Sequence, residues 1–253
     1  MKTLCMEFYK IKRRKIGLTM CALMAVQFLW IIWVFSNPKE SERVQGWLGM
    51  LYSMPLVNSI MMPTIIAVLA SRLTDIEHKG NTYKQLKTLR DANALFHAKV
   101  FCGLIIITFM FIAQMIFIFV LGNILGYAGH PDISYYIRYF SLSLICTFSL
   151  YLLQLTLSML FFNQMVPLVV GLCGSMLGLI LMYLYNWHLR FLFPWGGYIS
   201  TMFVGADWDQ ETRIMTYYYM ETAENGLPAH GFLLIWMVLF YAVGRILFAR
   251  REA

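Results

Sequence analysis

The side chains that could do chemistry in this sequence form no catalytic or metal-binding pattern. Neither His-Glu-x-x-His, the motif of zinc proteases, nor Gly-x-Ser-x-Gly, the motif of serine hydrolases, occurs. None of the histidines has a partner at metal-ligand spacing; they are His78, His97, His130, His188 and His230. The serines of the apolar stretch 139–161 have no acid or base within that stretch to activate them. These observations argue against a metalloenzyme and against an intramembrane hydrolase.

The sequence also lacks a nucleotide-binding motif. The phosphate-binding loop Gly-x-x-x-x-Gly-Lys-Ser/Thr is absent, and Gly is nowhere followed by Lys. We therefore expect this chain to bind no cofactor of its own. If it takes part in active transport, ATP and Mg²⁺ must be bound by a separate ATPase subunit.

The composition identifies the environment of the protein. Of the 253 residues, 60% are apolar and only 13% are charged, whereas a soluble domain is about 45–50% apolar and about 25% charged. A water-soluble domain of this size could not bury so much apolar surface. The sequence therefore predicts an integral membrane protein.

Segments without Asp, Glu, Lys or Arg locate the membrane spans, each of which needs about 20 apolar residues. The uncharged stretch 139–189 is too long for one span and is interrupted near Asn163 and Pro167, so we divide it into two. The sequence predicts six transmembrane helices, at about 16–35, 50–71, 100–121, 139–161, 166–186 and 231–248.

Positive charge predicts the orientation of the spans. With both termini in the cytoplasm, fifteen of the twenty lysines and arginines lie inside and five lie outside. The outer segments are net acidic, so the positive net charge of the chain comes from its cytoplasmic side. This basic rim suits the anionic lipid of the inner membrane surface and is no indication of nucleic-acid binding.

Three segments outside the spans carry further patterns. In 1–15, Leu4, Phe8 and Ile11 recur at helical spacing, which predicts an amphipathic helix at the inner membrane surface, with a plain basic anchor as the alternative. The cytoplasmic loop 72–99 contains a short apolar stripe among basic residues, which predicts a docking helix for a cytosolic partner or else a solvated loop. The segment 187–230 is aromatic and broken by Pro194, which predicts a re-entrant segment in the outer leaflet.

Two of these segments resemble those of a known family, the permease subunits of type-2 ABC exporters and, within it, the lantibiotic-immunity permeases. The start of the chain is similar to the elbow helix of that family, including Phe8, Ile11, Arg13 and Arg14. The run from 75 to 86 is similar to the family's coupling helix, and the corresponding residues are Asp75, Glu77, His78, Asn81, Tyr83, Lys84 and Leu86. One departure is Arg90, which follows Leu89 where the family often has proline.

The resemblance implies a single permease domain over 1–253. Its fold would be an all-α polytopic membrane protein with six spans, an elbow helix, a coupling loop at 72–99 and a re-entrant segment. It also implies a bacterial plasma membrane location, a cytosolic ABC ATPase dimer as partner, and pairing with a second, similar permease chain or with itself.

The implied cargo is a cationic antimicrobial peptide, and export would give immunity. The candidate peptide-facing outer surface comprises Trp195, Tyr198, Asp207, Asp209 and Glu211. Export of another antibiotic or of a lipid-like substrate is an alternative, and so is a non-transporting membrane sensor or scaffold.

Overall fold

The computed structural model describes residues 2–36, 43–80, 91–182, 193–200, 202–211, 214–220 and 227–250. The helices are α1 (Lys2–Arg13), α2 (Ile16–Val34), α3 (Gly46–Lys79), α4 (Ala92–Ile124), α5 (Ile133–Leu160), α6 (Met165–Met182), α7 (Gly197–Ser200) and α8 (Leu227–Arg250). A 3-10 turn at Pro194–Gly196 precedes α7, and strands β1 (Val204–Asp209) and β2 (Ile214–Tyr219) follow it.

Five described helices are long and apolar enough to cross a membrane: α2, α3, α4, α5 and α8. Together they support a multi-pass, mainly helical membrane protein. The predicted fifth span, 166–186, corresponds to the shorter apolar helix α6, and its last four residues lie outside the described part of the chain. The total of six spans therefore stays a prediction.

Two helices extend far beyond their predicted spans. Helix α3 continues to Lys79 rather than ending near 71, and α4 begins at Ala92 rather than near 100. Most of the predicted loop 72–99 is therefore helix, and the residues that remain between the two helices are 80–91. The prediction ended the spans at charged residues, but Glu77 and Lys99 pair with each other between the two helices, and Asp75 pairs with Lys79 within α3.

Helices α3 and α5 form the centre of the bundle. Helix α5 packs against α3, α4 and α8, and α6 packs against α3. Helices α2, α4 and α8 keep large apolar faces exposed, for example at Leu29, Phe109 and Val238. Such faces suit lipid, because the hydrocarbon layer solvates apolar side chains and offers no partner for backbone polar groups.

The segment before α8 is not wholly helical, which corrects the all-α prediction at one place. Strands β1 and β2 form an antiparallel hairpin in which Val204 lies opposite Tyr219 and Asp209 opposite Ile214. Three consecutive tyrosines in β2 favour a strand, because aromatic residues pack well on a pleated surface. We call the end of the bundle that carries this hairpin the hairpin end, and the opposite end, which carries α1, the elbow end.

Candidate functional site

Four charged side chains meet at the elbow end, and we call them the ion cluster: Glu7, Lys10, Glu77 and Lys99. The Lys99 Nζ lies 3.0 Å from Glu77 Oε1 and 3.1 Å from Glu7 Oε2. The Lys10 Nζ lies 2.7 Å from the Oε1 atoms of both carboxylates. Each lysine therefore bridges the same two acidic residues, and the set as a whole is formally neutral.

The ion cluster is an interior feature. Glu77 and Lys99 are each only 1% exposed, and Glu7 is 2% exposed. A buried charge costs several kcal/mol to remove from water, so it is stable only when it is paired and hydrogen-bonded. Lys99 also donates to the backbone carbonyl of Leu73 at 2.7 Å, which uses a further proton of its ammonium group.

Three elements supply the ion cluster. Glu7 and Lys10 are one turn apart on α1, so they face the same side of that helix. Glu77 lies in the last turn of α3, and Lys99 lies two turns into α4. Tyr151 of α5 donates its hydroxyl to the backbone carbonyl of Lys99 at 2.9 Å, which places α5 against the same turn of α4.

The position of the ion cluster relates it to the predicted coupling loop. The pair of Glu77 and Lys99 joins the two helices on either side of residues 81–90. Those ten residues lie outside the described part of the chain, and with them the predicted coupling residues Asn81, Tyr83, Lys84 and Leu86. Their coupling role stays a prediction.

The other predicted coupling residues have internal partners. Glu77 is buried in the ion cluster rather than displayed on a docking surface. His78 is also buried, and its Nε2 lies 2.9 Å from the backbone carbonyl oxygen of Ser158 at the end of α5. Asp75 is half-buried and pairs with the exposed Lys79 at 2.8 Å. Only Asp75 of these three leaves part of its side chain accessible to a partner.

A helix, α1, is present where the sequence predicts an amphipathic helix, and its location at the inner membrane surface stays a prediction. Ile11 is half-buried against the core, Phe8 is partly exposed, and Arg13 and Arg14 are exposed. The turn from α1 into α2 passes through Lys15, whose φ of 53° lies in the left-handed region. This single left-handed residue breaks the helix and lets α1 bend away from the direction of α2.

The predicted outer surface is divided by the structure. Asp207, Asp209 and Glu211 are exposed on the hairpin, and the Glu211 N–H donates to Asp209 Oδ1 at 2.9 Å. Tyr198 is fully buried and its hydroxyl lies 2.6 Å from that of Thr147, so its placement on the outer surface was wrong.

Trp195 is half-buried, because its ring packs against α6 at Gly174, where a side chain would not fit. It therefore contributes less accessible surface than the three acidic residues of the hairpin.

A second polar group inside the bundle was missed by the sequence analysis. Gln27, Asn58, Gln114 and Tyr139 come from four different helices, are at most 1% exposed, and hydrogen-bond to one another. The Tyr139 hydroxyl donates to Gln114 Oε1 at 2.8 Å, and Asn58 Nδ2 donates to Tyr139 at 3.0 Å. We call these four residues the amide network. Its members carry no formal charge, so the charge pattern of the spans does not mark them; the signal in the sequence is an amide side chain within an apolar span.

The described part of the chain holds no group of three or more His, Cys, Asp or Glu side chains that could bind a metal ion. The ion cluster has two lysines beside its two carboxylates, so its charges balance, although Glu77 Oε2 is buried without a hydrogen-bond partner in the described part of the chain. Its arrangement can hold three helices together but offers no open coordination position or nucleophile.

Comparison with known proteins identifies the family. Residues 3–178, well over half of the chain, match the ABC-2 family transporter proteins. The chain belongs to the ABC-2 transporter family. No curated protein and no solved structure matches it.

The family match covers most of the features described above. The matched residues include α1, the ion cluster, both sides of 81–90 and the amide network, whereas the hairpin and α8 lie beyond the match. The family supports a permease role in the membrane and association with an ABC ATPase, which is typically the subunit that hydrolyses ATP. The narrower lantibiotic-immunity resemblance has no support from a homologue.

Proposed function

We propose that this ABC-2 chain is the permease subunit of an exporter that expels cationic antimicrobial peptides, such as lantibiotics, from the bacterial plasma membrane. The observation that carries the coupling part of this proposal is the buried pair of Glu77 and Lys99 at the base of residues 81–90. Because this ion pair joins the end of α3 to the start of α4, a displacement of the residues between them can pass to both helices.

The proposed coupling runs through the elbow end, which faces the cytoplasm. A dimer of the partner ATPase, carrying ATP and Mg²⁺, docks on residues 81–90, where Tyr83 and Leu86 supply apolar contacts and Asn81 and Lys84 polar ones. Movement of that loop shifts the ends of α3 and α4 together. Because Lys10 also pairs with Glu77, α1 moves with them.

The hairpin end carries the proposed capture surface. Asp207, Asp209 and Glu211 are exposed there beside Trp208, which is 53% exposed. Carboxylates beside an exposed indole suit a peptide that is both cationic and amphipathic. The complex would contain two permease chains, either this chain with a similar one or two copies of it.

Co-purification from the native cells in mild detergent tests the permease role. We expect a cytosolic ATPase to accompany the chain and to hydrolyse ATP. The variant Tyr83→Ala with Lys84→Ala, in the docking loop, should reduce the recovery of the ATPase. The control Lys12→Ala removes an exposed cation of α1, outside the predicted coupling run 75–86, and should leave the recovery unchanged. A folded chain recovered alone, without ATP hydrolysis, would favour the sensor or scaffold.

Killing curves with cationic peptides test the cargo. Cells that lack this chain should become more sensitive to the peptide, and the chain should restore resistance. The described interiors of the spans carry few charges, which also favours an apolar or lipid-like cargo. Unchanged peptide sensitivity together with an intact ATPase complex would assign the exporter to that second class of substrate.

A further inference from the structure

A polar cavity lies between α1 and the elbow end of α3. Its volume is about 450 Å³, and it is lined by Tyr9, Lys10, Arg13, Arg14 and Ile76. Three of these five residues come from α1, where spacings of three and four residues place Arg13 beside Lys10 and Tyr9, and Arg14 follows in the turn after the helix. Four of the lining side chains can donate hydrogen bonds: two guanidinium groups, an ammonium group and a phenol.

The cavity carries uncompensated positive charge. The two lysines and two carboxylates of the ion cluster neutralise one another, and Lys10 belongs to that set. Arg13 and Arg14 are exposed, and within the described part of the chain neither forms an ion pair or a side-chain hydrogen bond. The cavity is therefore lined by two arginines that have no anionic partner there, and by Lys10, which is already paired with Glu7 and Glu77.

Chemistry and location together indicate the ligand. The guanidinium group presents a planar fork of N–H donors that matches the oxygens of a phosphate. Helix α1 also exposes Met6 and Phe8, and it ends at the turn where the apolar helix α2 begins. A short helix with both apolar and basic exposed residues lies at the membrane surface, at the depth of the lipid headgroups.

We propose that this cavity binds the phosphate group of an anionic phospholipid through Arg13 and Arg14. Tyr9 is largely exposed at the same cavity, and its hydroxyl is a further donor for a phosphate oxygen. The bound lipid would attach α1 to the membrane surface on the side where it meets α3. This inference does not depend on the exporter's cargo or on its ATPase.

The neighbouring cations supply a matched control. Lys12 and Lys15 are exposed on the same segment, but they do not line the cavity. Replacing both with glutamine removes the same charge from the same surface as replacing the two arginines. General attraction to an anionic membrane would respond equally to the two changes, whereas a specific site would respond only to the loss of the arginines.

The experiment measures phospholipid retained by the purified chain. The wild-type chain, Arg13→Gln with Arg14→Gln, and Lys12→Gln with Lys15→Gln are each exchanged into detergent with equal phosphatidylglycerol and phosphatidylcholine, and bound lipid is counted by native mass spectrometry. Thermal unfolding first confirms that all three are folded. We expect the arginine variant to bind phosphatidylglycerol at least about tenfold more weakly than the other two chains.

A soluble competitor distinguishes the possible sources of the phosphate group. Inorganic phosphate added at increasing concentration should leave phosphatidylglycerol bound to the wild-type chain. Equal loss of lipid in the two glutamine variants would overturn the site. Binding of inorganic phosphate that depends on Arg13 and Arg14, without retention of phosphatidylglycerol, would overturn the lipid assignment and indicate a soluble anion.

Discussion

The Glu77 carboxylate and the Lys99 ammonium lie 3.0 Å apart in the protein interior, although both residues belong to the stretch 72–99, which the sequence predicts as a cytoplasmic docking helix or else a solvated loop. Glu7 and Lys10 complete the set, so one group of charges holds α1, α3 and α4 together. The integrity of this ion cluster should therefore affect both the stability of the bundle and the position of α1.

Removal of Lys99 should destabilise the protein. In Lys99→Met two buried carboxylates share the single remaining lysine, Lys10, and a broken buried pair costs about 3–5 kcal/mol. The measurement is the unfolding midpoint of the detergent-solubilised protein. The control Lys79→Met removes a lysine that is exposed and pairs with Asp75 on the surface, where the cost is about 0–1 kcal/mol. Equal shifts in the two variants would contradict the interior role of Lys99.

Loss of Lys10 should loosen the attachment of α1 without unfolding the bundle. In Lys10→Gln the ammonium that joins Glu7 to Glu77 is gone, while Lys99 still pairs with both carboxylates. We expect faster hydrogen exchange of the α1 amides and unchanged exchange in α3. Lys12→Gln, at an exposed position of the same helix, should leave α1 exchange as in the wild type. If both variants exchange alike, Lys10 does not attach α1.

The amide network should stabilise the packing of the spans. Asn58 is its centre, because it bonds to Gln27, Gln114 and Tyr139. Asn58→Ala should lower the free energy of unfolding by about 1–2 kcal/mol, the range that model peptides give for a hydrogen bond between membrane helices. The matched change is Asn123→Ala, since Asn123 is exposed and bonds only to a carbonyl of its own helix within the described part. A loss of stability in Asn123→Ala but not in Asn58→Ala would contradict a stabilising role for the amide network.

A close helix approach depends on Gly103. A Cβ at this position would overlap the ring of Tyr151, whose hydroxyl bonds to the Lys99 carbonyl. Gly103→Ala should therefore destabilise the protein by about 1–3 kcal/mol through overpacking. Gly17 has open space around its α-carbon, so Gly17→Ala should be tolerated. Comparable unfolding midpoints for the two variants would show that Tyr151 can move aside.

The acidic residues of the hairpin should affect protection against a cationic peptide. Asp207→Asn, Asp209→Asn and Glu211→Gln together remove three exposed charges, and the asparagine at 209 keeps an acceptor for the 211 N–H. We expect a lower peptide concentration to kill cells with this triple variant. Asp91→Asn removes an exposed acid at the elbow end and should leave killing curves unchanged. Unaltered resistance in the triple variant would contradict the capture surface.

Much of the bundle was predictable because span signals are local. The predicted start of the first span at 16 agrees with α2, which begins at Ile16, and the predicted turn near Asn163 separates α5 from α6. The ends of α3 and α4 were not predictable in the same way. A charged residue marks the end of a span only if water solvates its charge. Glu77 and Lys99 are instead paired with each other and with Lys10 and Glu7, so they lie in the protein interior.

The site itself was predicted only in part. The run from Asp75 to Leu86 indicated the region of the chain, but it did not indicate that Glu77 and His78 are buried. Tyr198 is an aromatic residue of the type found at membrane interfaces. It is nevertheless buried, because its hydroxyl forms a hydrogen bond with Thr147 of another helix. The strand pairing was hidden because a tyrosine run near a membrane also suits an interfacial belt.

The sequence alone determined that this is a multi-pass membrane protein without an ATP-binding loop, because apolar length and motif spacing are properties of one continuous segment. Only the tertiary structure decided which polar groups meet. Glu7 and Lys99, or Gln27 and Gln114, are far apart along the chain, and no local pattern marks them as partners. Each is stable in the interior only because another helix supplies its hydrogen-bond partner, and that condition is met by folding.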